Sequence, residues 1–564
     1  MKIHFYGACE MVTGSCFILE TEDFRLLVDC GLFQGSKIVK ELNYGEFSFD
    51  PRTIDAVILT HAHTDHSGLI PKLVKNGYSG PIYATRETTE LCAIMFPDSG
   101  YIQEMEVERK NRKLSRANAP LLTPIYTAED GHKAMDSFIP INYDESLLLN
   151  KNITAVFHDA GHILGSAHVL IEITEGDRKT KVLFSGDVGS FDQPYIEDPS
   201  IIDQADIIII ETTYGSRVRE GKTNRLELLA EAINDGYSKG GKIIIPAFAV
   251  ERTQDLLYYL NILQLENKIP IMPIYIDSPL AVAATKVFTR NTHNFDEETA
   301  GLIEDGNNPL TMENLKFSVT TADSIALNNS SEQAIIISAS GMADAGRIKH
   351  HLKHNLWRSN ATVIFVGYQA EGSLGRRLID GANEVTIHGE RICVNANIVN
   401  LLGFSGHADR NELLAWVKKA GNHAHSIVLV HGETDSIQSF AQVIEEELGK
   451  KAIIPELGEQ IEFKQDEIVR IKPEVPWLEE IANKLALPTH LDKDAVCKIR
   501  DSQIKSKTST SYKDISLADI NNAYNNLRKN LKSIVNKAKK EKDYSYLMEM
   551  FARFEKILQE SFYK

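Results

Sequence analysis

Short apolar runs, many of them β-branched, punctuate this chain, and most end in a polar residue able to hold a metal or move a proton. Leu26-Leu27-Val28 leads into Asp29, Ala56 to Leu59 into Thr60-His61, and Val182-Leu183-Phe184 into a turn carrying Asp187. Ile207 to Ile210 is closed by Glu211 and Ile427 to Val430 by His431, while Ala155-Val156-Phe157 precedes the segment HDAGHILGSAH. Runs this short, bounded by glycine-containing turns, predict buried strands rather than helices. In layered α/β folds ligands collect where strands end, because the backbone there is rigid and the loops are open. These polar residues are therefore expected to converge on one cleft.

The same pattern divides the chain. Strand and helix signals alternate over 1–210 and resume over 395–472. Between them, 211–394 has strand runs of its own at Lys242 to Ile245, Ile274 to Ile276, Ala334 to Ile337 and Thr362 to Val366, spaced by helical stretches. That spacing predicts an inserted α/β unit with a parallel sheet. Over 473–564, Pro473, Pro476 and Pro488 mark a jointed linker. Two apolar stripes follow, from Leu517 to Ala538 and from Leu547 to Ile557, and predict a helical hairpin. In the first block, Asp98-Ser99-Gly100 is expected to open a solvated helix from Gln103 to Lys113.

The densest chemistry is HAHTDHSG, where His61, His63, Asp65 and His66 stand within six positions. Imidazole nitrogen and carboxylate oxygen suit zinc and its neighbours, and a site built only from them leaves room for water. Four such groups so close together can serve two metal ions, which points to a hydrolase. His158, His162 and His168 are all available to complete the site.

Together the motifs VDCG at Asp29, HAHTDHSG, the His162 segment, SGDVG, ETTYG, FSGHADR at His407 and HGE at His431 resemble the β-CASP branch of the metallo-β-lactamase superfamily. This branch comprises RNA-processing nucleases that include the pre-mRNA 3′-end cleavage endonuclease and RNase J. The resemblance covers Lys2 to Pro455. It implies a metallo-β-lactamase αββα sandwich with an inserted α/β β-CASP domain, extended here by the helical C-terminal segment. It further implies two zinc ions, one held by His61, His63 and His162 and the other by Asp65, His66 and His431, with Asp187 bridging. Asp29 is implied as a carboxylate orienting a metal-bound group. His407 is implied as the acid that protonates the leaving oxygen, with Glu211 supporting it.

The reaction asks for such parts independently. Phosphodiester cleavage at neutral pH needs an activated hydroxide, which two metals can supply, and the departing sugar oxygen needs a proton, which a carboxylate-held histidine can give. The expected products are 5′-phosphate and 3′-hydroxyl ends. Phosphate contacts are expected from Ser338, Ser340 and Gly341, in a loop between strand and helix, and from Arg252 behind them. Arg376 is a weaker candidate, and His388 and His423 are read as structural or solvent-facing.

Composition bounds the reading. The chain has 564 residues, 43% hydrophobic and 25% charged, as expected of a globular protein with sizeable cores. No apolar run reaches bilayer length, no targeting signal is read, and six cysteines without a CxxC pair suit a reducing, cytoplasmic setting. The net charge of −17 argues against a polyanionic substrate. Two divalent ions, however, outweigh the liganding carboxylates Asp65 and Asp187 at the cleft itself. Over 501–564, thirteen Lys and Arg face eight Asp and Glu, a basic tail suited to a partner, RNA or a second copy of the chain. The sequence thus predicts a zinc-dependent ribonuclease acting on single-stranded RNA. The rivals are a thioesterase- or lactonase-like hydrolase, which should lack FSGHADR and the insertion, a DNA nuclease, which should lack His431, and a scaffold subunit, which should have lost ligands.

Overall fold

The computed structural model describes residues 1–219, 224–370, 372–464 and 467–486. The expected C-terminal hairpin, and any self-association through it, lie outside the described residues.

Two sheets stack face to face. The first has eight strands in the spatial order Ile468–Ile471, Gln460–Phe463, Lys2–Phe5, Phe17–Glu20, Arg25–Val28, Ala56–Ile58, Ile82–Thr85, Phe138–Ile141. The second has six, Ser426–Val430, Ile207–Glu211, Arg178–Phe184, Ala167–Glu175, Ile153–Asp159, Ser146–Asn150. Their inner faces meet in a shared apolar core, with Phe17 of one sheet 6.0 Å from Phe184 of the other. Helices cover the outer faces. Arg410–Ala420 and Thr434–Leu448 cover the second sheet through Trp416, Val417, Ile437 and Phe440, all fully buried. The result is an αββα sandwich.

The inserted sheet has six strands, Leu315–Phe317, Ile274–Ile276, Ile335–Ser338, Ile243–Pro246, Thr362–Phe365 and Asn397–Asn400, and every pairing in it is parallel. Isoleucine-rich strands buried on both faces are what such a sheet requires. Its last strand extends to Asn400, past residue 394, before the chain returns to the sandwich.

Two expectations differ from the structure. The polar helix does not open at Asp98, because one helix runs from Arg86 to Arg116, capped by Thr85, with Pro97 inside it. Leu91, Cys92 and Phe96 in its first half are buried, with Phe96 6.1 Å from Phe138 of the sheet, so tertiary burial carries the helix through the hydrogen bond that Pro97 cannot make. The segment after Pro476 is not simply linker. Trp477–Ala486 is helical, and Trp477 stacks on Tyr6 at 5.6 Å, which fastens the segment to the sandwich.

Candidate metal centre

Strand ends from both sandwich sheets converge on Asp187. Its Oδ2 lies 3.5 Å from His61 Nε2 and 3.5 Å from His162 Nε2. Its Oδ1 lies 3.2 Å from His66 Nε2 and 3.2 Å from His431 Nδ1. His63 Nδ1 is 3.2 Å from both His61 Nε2 and His162 Nε2, and Asp65 Oδ2 is 3.6 Å from His431 Nε2. Two clusters hold the expected ligands, His61, His63, His162 and Asp187 in one and Asp65, His66 and His431 in the other, and a third grouping joins Asp187 and His431 to Glu211. All seven expected ligands are thus brought together. Of the three histidines left open by the sequence, only His162 reaches the cluster. His158 pairs with Asp144 at 2.6 Å, and His168 bonds the Ser185 carbonyl at 2.5 Å.

Local backbone explains the convergence. His63 precedes the short helix Thr64–Ser67, which puts Asp65 and His66 on successive positions of one turn. Gly31, from the VDCG motif, packs so closely on that turn that a Cβ there would sit 1.7 Å from the Asp65 carbonyl oxygen. Asp29 and His431 adopt left-handed φ values of 59° and 47°, costly for residues other than glycine. Each is held by backbone bonds, Asp29 N–H to the Ile58 carbonyl at 2.9 Å and His431 N–H to the Ala8 carbonyl at 2.7 Å.

A further shell orients the rings. Asp29 Oδ2 bonds His66 Nδ1 at 2.7 Å, and Asp29 also accepts from the Thr60 backbone N–H at 2.8 Å and hydroxyl at 2.9 Å. The Thr60 hydroxyl is in turn 3.1 Å from His61 Nδ1, so one carboxylate fixes rings of both clusters. Thr213 sits 3.2 Å from His431 Nδ1, and the Gly406 carbonyl 3.3 Å from His162 Nδ1. Sequence reasoning found Asp29 and missed Thr60, Thr213 and Gly406, although each lies within two residues of a residue that it named.

Electrostatics follow from the burial. Burial and neighbouring imidazoles hold His61 and His162 well below the usual histidine range, and burial takes His63 down to about 4. These rings are neutral at pH 7, as ligands must be. Burial opposes charge on Asp187 and Asp65 as well, but His431 and His66 outweigh it and hold both carboxyls low. His66 goes the opposite way, because Asp187 and Asp29 outweigh its desolvation and raise it. Asp187 Oδ1 and His431 Nε2 are buried without a hydrogen bond of good geometry. Imidazole nitrogens, carboxylates and two orphaned buried acceptors make a donor set that fits divalent zinc.

Beside the clusters stands an acid–base pair. His407 Nδ1 lies 3.1 Å from Glu211 Oε1 and 3.9 Å from Asp187 Oδ2. Glu211 is fully buried and accepts from the backbone N–H groups of Val188 at 2.8 Å and Thr213 at 3.1 Å. Burial works against a charged His407, yet Glu211 prevails and raises the ring to about 10. Arg219, unforeseen in the sequence, steadies the loop by donating to the His407 carbonyl and, at 2.6 Å, to Ser190 Oγ.

The expected phosphate contacts fare differently. Ser338 is 1% exposed and its hydroxyl is spent on the Asp277 carbonyl at 2.8 Å, because its strand ends inside the inserted core. Arg252 is paired with Asp255 at 2.7 Å. Ser340 interacts with Ala345 of its own loop, and Gly341 packs on Phe248. None of these four joins the metal cluster.

Comparison with known proteins agrees with this geometry. The chain matches the metallo-β-lactamase superfamily over residues 11–219, the β-CASP domain over 253–378, and a Zn-dependent metallo-hydrolase RNA specificity domain over 385–455. It is 36% identical to Ribonuclease TTHA0252 of Thermus thermophilus, over 79% of this chain and 96% of that protein. It is 32% identical to an RNase J-like protein of Methanocaldococcus jannaschii, over 81% and 98% respectively. A transcription termination factor, FttA, from the same archaeon is 31% identical over 81% of this chain and 70% of its own length. With the three domain matches in order along one chain and relatives covered almost end to end, the protein belongs to the β-CASP family of the metallo-β-lactamase superfamily.

Proposed function

We propose that the chain is a zinc-dependent ribonuclease that hydrolyses internal phosphodiester bonds of single-stranded RNA, with two zinc ions per chain. His61, His63 and His162 would hold one ion and Asp65, His66 and His431 the other, with Asp187 between them. Zinc in such a site supplies Lewis-acid charge and brings the pKa of coordinated water from about 15.7 towards ~7. The protein's own part is to keep His61, His63 and His162 neutral, to orient the ligand rings through Asp29, Thr60 and Thr213, and to present a proton. His407, held protonated by Glu211, donates that proton to the departing 3′-oxygen and leaves 3′-hydroxyl and 5′-phosphate ends. Arg219 fixes the loop from which it acts.

The observation that carries the reading is the His407–Glu211 pair, 3.1 Å apart and beside Asp187, since a sugar oxygen leaving phosphorus needs a proton donor held at that place. The FSGHADR segment and the inserted domain argue against the thioesterase- or lactonase-like alternative. A reducing cytoplasmic setting belongs to the same reading, supported by four buried free thiols. So does self-association through the basic C-terminal segment.

The test offers zinc-loaded protein matched RNA and DNA oligonucleotides labelled at either end. Wild type is expected to cut RNA internally. Asp65→Ala is expected to lose both metal and activity. His407→Ala should retain metal and slow about 10²–10⁴-fold. Intact RNA alongside hydrolysis of a thioester or lactone would overturn the assignment.

A further inference from the structure

The helix Ile348–Asn355 and its flanks carry a charge opposite to that of the whole chain. No Asp or Glu occurs from Ala345 to Ala370, whereas Arg347, Lys349, Lys353 and Arg358 do. His350 and His354 are exposed on the same helix. The last eight residues of the long helix, Arg109 to Arg116, are similar, with five cations and no acid, and all five cations are exposed. One of these helices belongs to the inserted domain and the other to the sandwich. Both reach His388, whose pKa is lowered by burial first and then by the charges of His350, Lys349, Lys353 and Arg109.

Aromatic groups interleave these cations. The rings of His350 and His388 stack at 4.6 Å with 29° between their planes. Trp357 is 53% exposed, with the Arg358 guanidinium 5.1 Å from its ring centre. Some charge is already answered, since Lys353 pairs with Glu390 at 2.5 Å, Lys110 with Glu106 at 3.9 Å and Arg112 with Glu108 at 2.6 Å. Lys349 and Arg109 have no such partner among the described residues.

The surface is linked to the centre by a run of packed loops. Ile348 N–H bonds the Ala339 carbonyl at 3.3 Å, and a Cβ on Gly341 would meet the Phe248 ring at 3.1 Å. A Cβ on Gly406, next to His407, would meet Glu251, three residues beyond Phe248, at 2.6 Å. Cations that track a backbone, interleaved with flat rings on which bases stack, are how proteins hold single strands.

We propose that this two-part basic face docks the single-stranded RNA flanking the bond to be cut, with phosphates on Lys349 and Arg109 and bases on the His350–His388 pair and Trp357. The proposal rests on the ribonuclease reading. It explains how a chain of charge −17 engages a polyanion beyond its metal centre.

The test measures binding of a fluorescent, 2′-O-methylated twenty-nucleotide oligouridine to the full-length zinc-loaded protein across a salt series. Each phosphate contact on a single strand contributes about 0.7 to the slope of log K against log salt. The double variant Lys349→Gln/Arg109→Gln is therefore expected to flatten that slope by about 1.4 and, at 0.15 M salt, to raise Kd about tenfold. Trp357→Ala should weaken binding about fivefold or more with the slope unchanged. Both variants should hydrolyse bis(p-nitrophenyl) phosphate like wild type, which shows that the fold and the centre are intact. Wild-type Kd and slope in the double variant, with wild-type RNA cleavage preserved, would overturn this proposal alone. RNA neither bound nor cut by wild type would overturn the ribonuclease reading together with it.

Discussion

At the residue scale, Asp29 shows how one side chain governs several. Its carboxylate bonds His66 directly and reaches His61 through Thr60, although it belongs to neither cluster itself. Asp29→Asn keeps the shape but weakens the hold on both rings. Zinc affinity is expected to fall about 10–100-fold, read by competition with a fluorescent chelator. Gly31→Ala tests a different cause, since the added methyl collides with the Asp65 carbonyl, a backbone atom with little room to give. Denaturant unfolding should show a loss of about 1–3 kcal/mol, accompanied by lower zinc content. Wild-type stability in Gly31→Ala would show that the turn carrying Asp65 and His66 is free to shift.

At the scale of elements, the inserted sheet depends on a buried polar knot at the end of Ile274–Ile276. Asp277 accepts from Ser318 at 2.8 Å, Ser324 at 2.5 Å and Arg347 at 2.7 Å, and bonds His351 Nε2 at 2.6 Å. Burial opposes its charge, but these partners, His351 foremost, bring the carboxyl down to about 2. A carboxyl lowered on folding stabilises the folded state above its unfolded pKa of about 4, and that contribution is lost as pH falls through the folded value. Asp277→Asn is therefore expected to cost about 1.5–3 kcal/mol at pH 7. The gap from wild type should narrow between about pH 4 and pH 2, as followed by chemical denaturation at stepped pH. A gap independent of pH would remove the charge from the explanation.

Much was legible at this scale, because β-branched runs such as Ile243–Pro246 and Ile335–Ser338 have few conformations other than buried strands. The long helix was read less well. Pro97 and the polar turn around Asp98 look like a boundary in one dimension, and only packing on the sheet and on Pro279–Arg290 carries the helix past them. At the Ser338 loop, likewise, a distant contact takes up a side chain that the sequence leaves free. A serine after a strand and before a helix has the pattern of a phosphate cradle, yet its hydroxyl was claimed by Asp277, 61 residues away.

At the scale of the whole molecule, the centre draws side chains from both sheets, so metal binding and folding of the sandwich are coupled. Ions that bind only the folded state stabilise it by RT ln(1 + [L]/Kd), about 4 kcal/mol at a thousandfold excess over Kd. Stripping zinc with a chelator is expected to lower the transition temperature of the sandwich in calorimetry, and returning zinc should restore it. An unchanged transition would mean that the carboxylates and imidazoles hold one another as well without metal as with it.

By itself the sequence determined which residue types end which strands, because hydrophobic period and ligand chemistry are local properties. HAHTDHSG, ETTYG and FSGHADR could be read for what they carry before any contact was known. Tertiary structure decided that His158 and His168 turn to Asp144 and Ser185 rather than to the centre, and that Glu211 reaches His407 across 196 positions. Those outcomes depend on strand register and on how the layers pack, and both are set by contacts between residues distant in the chain.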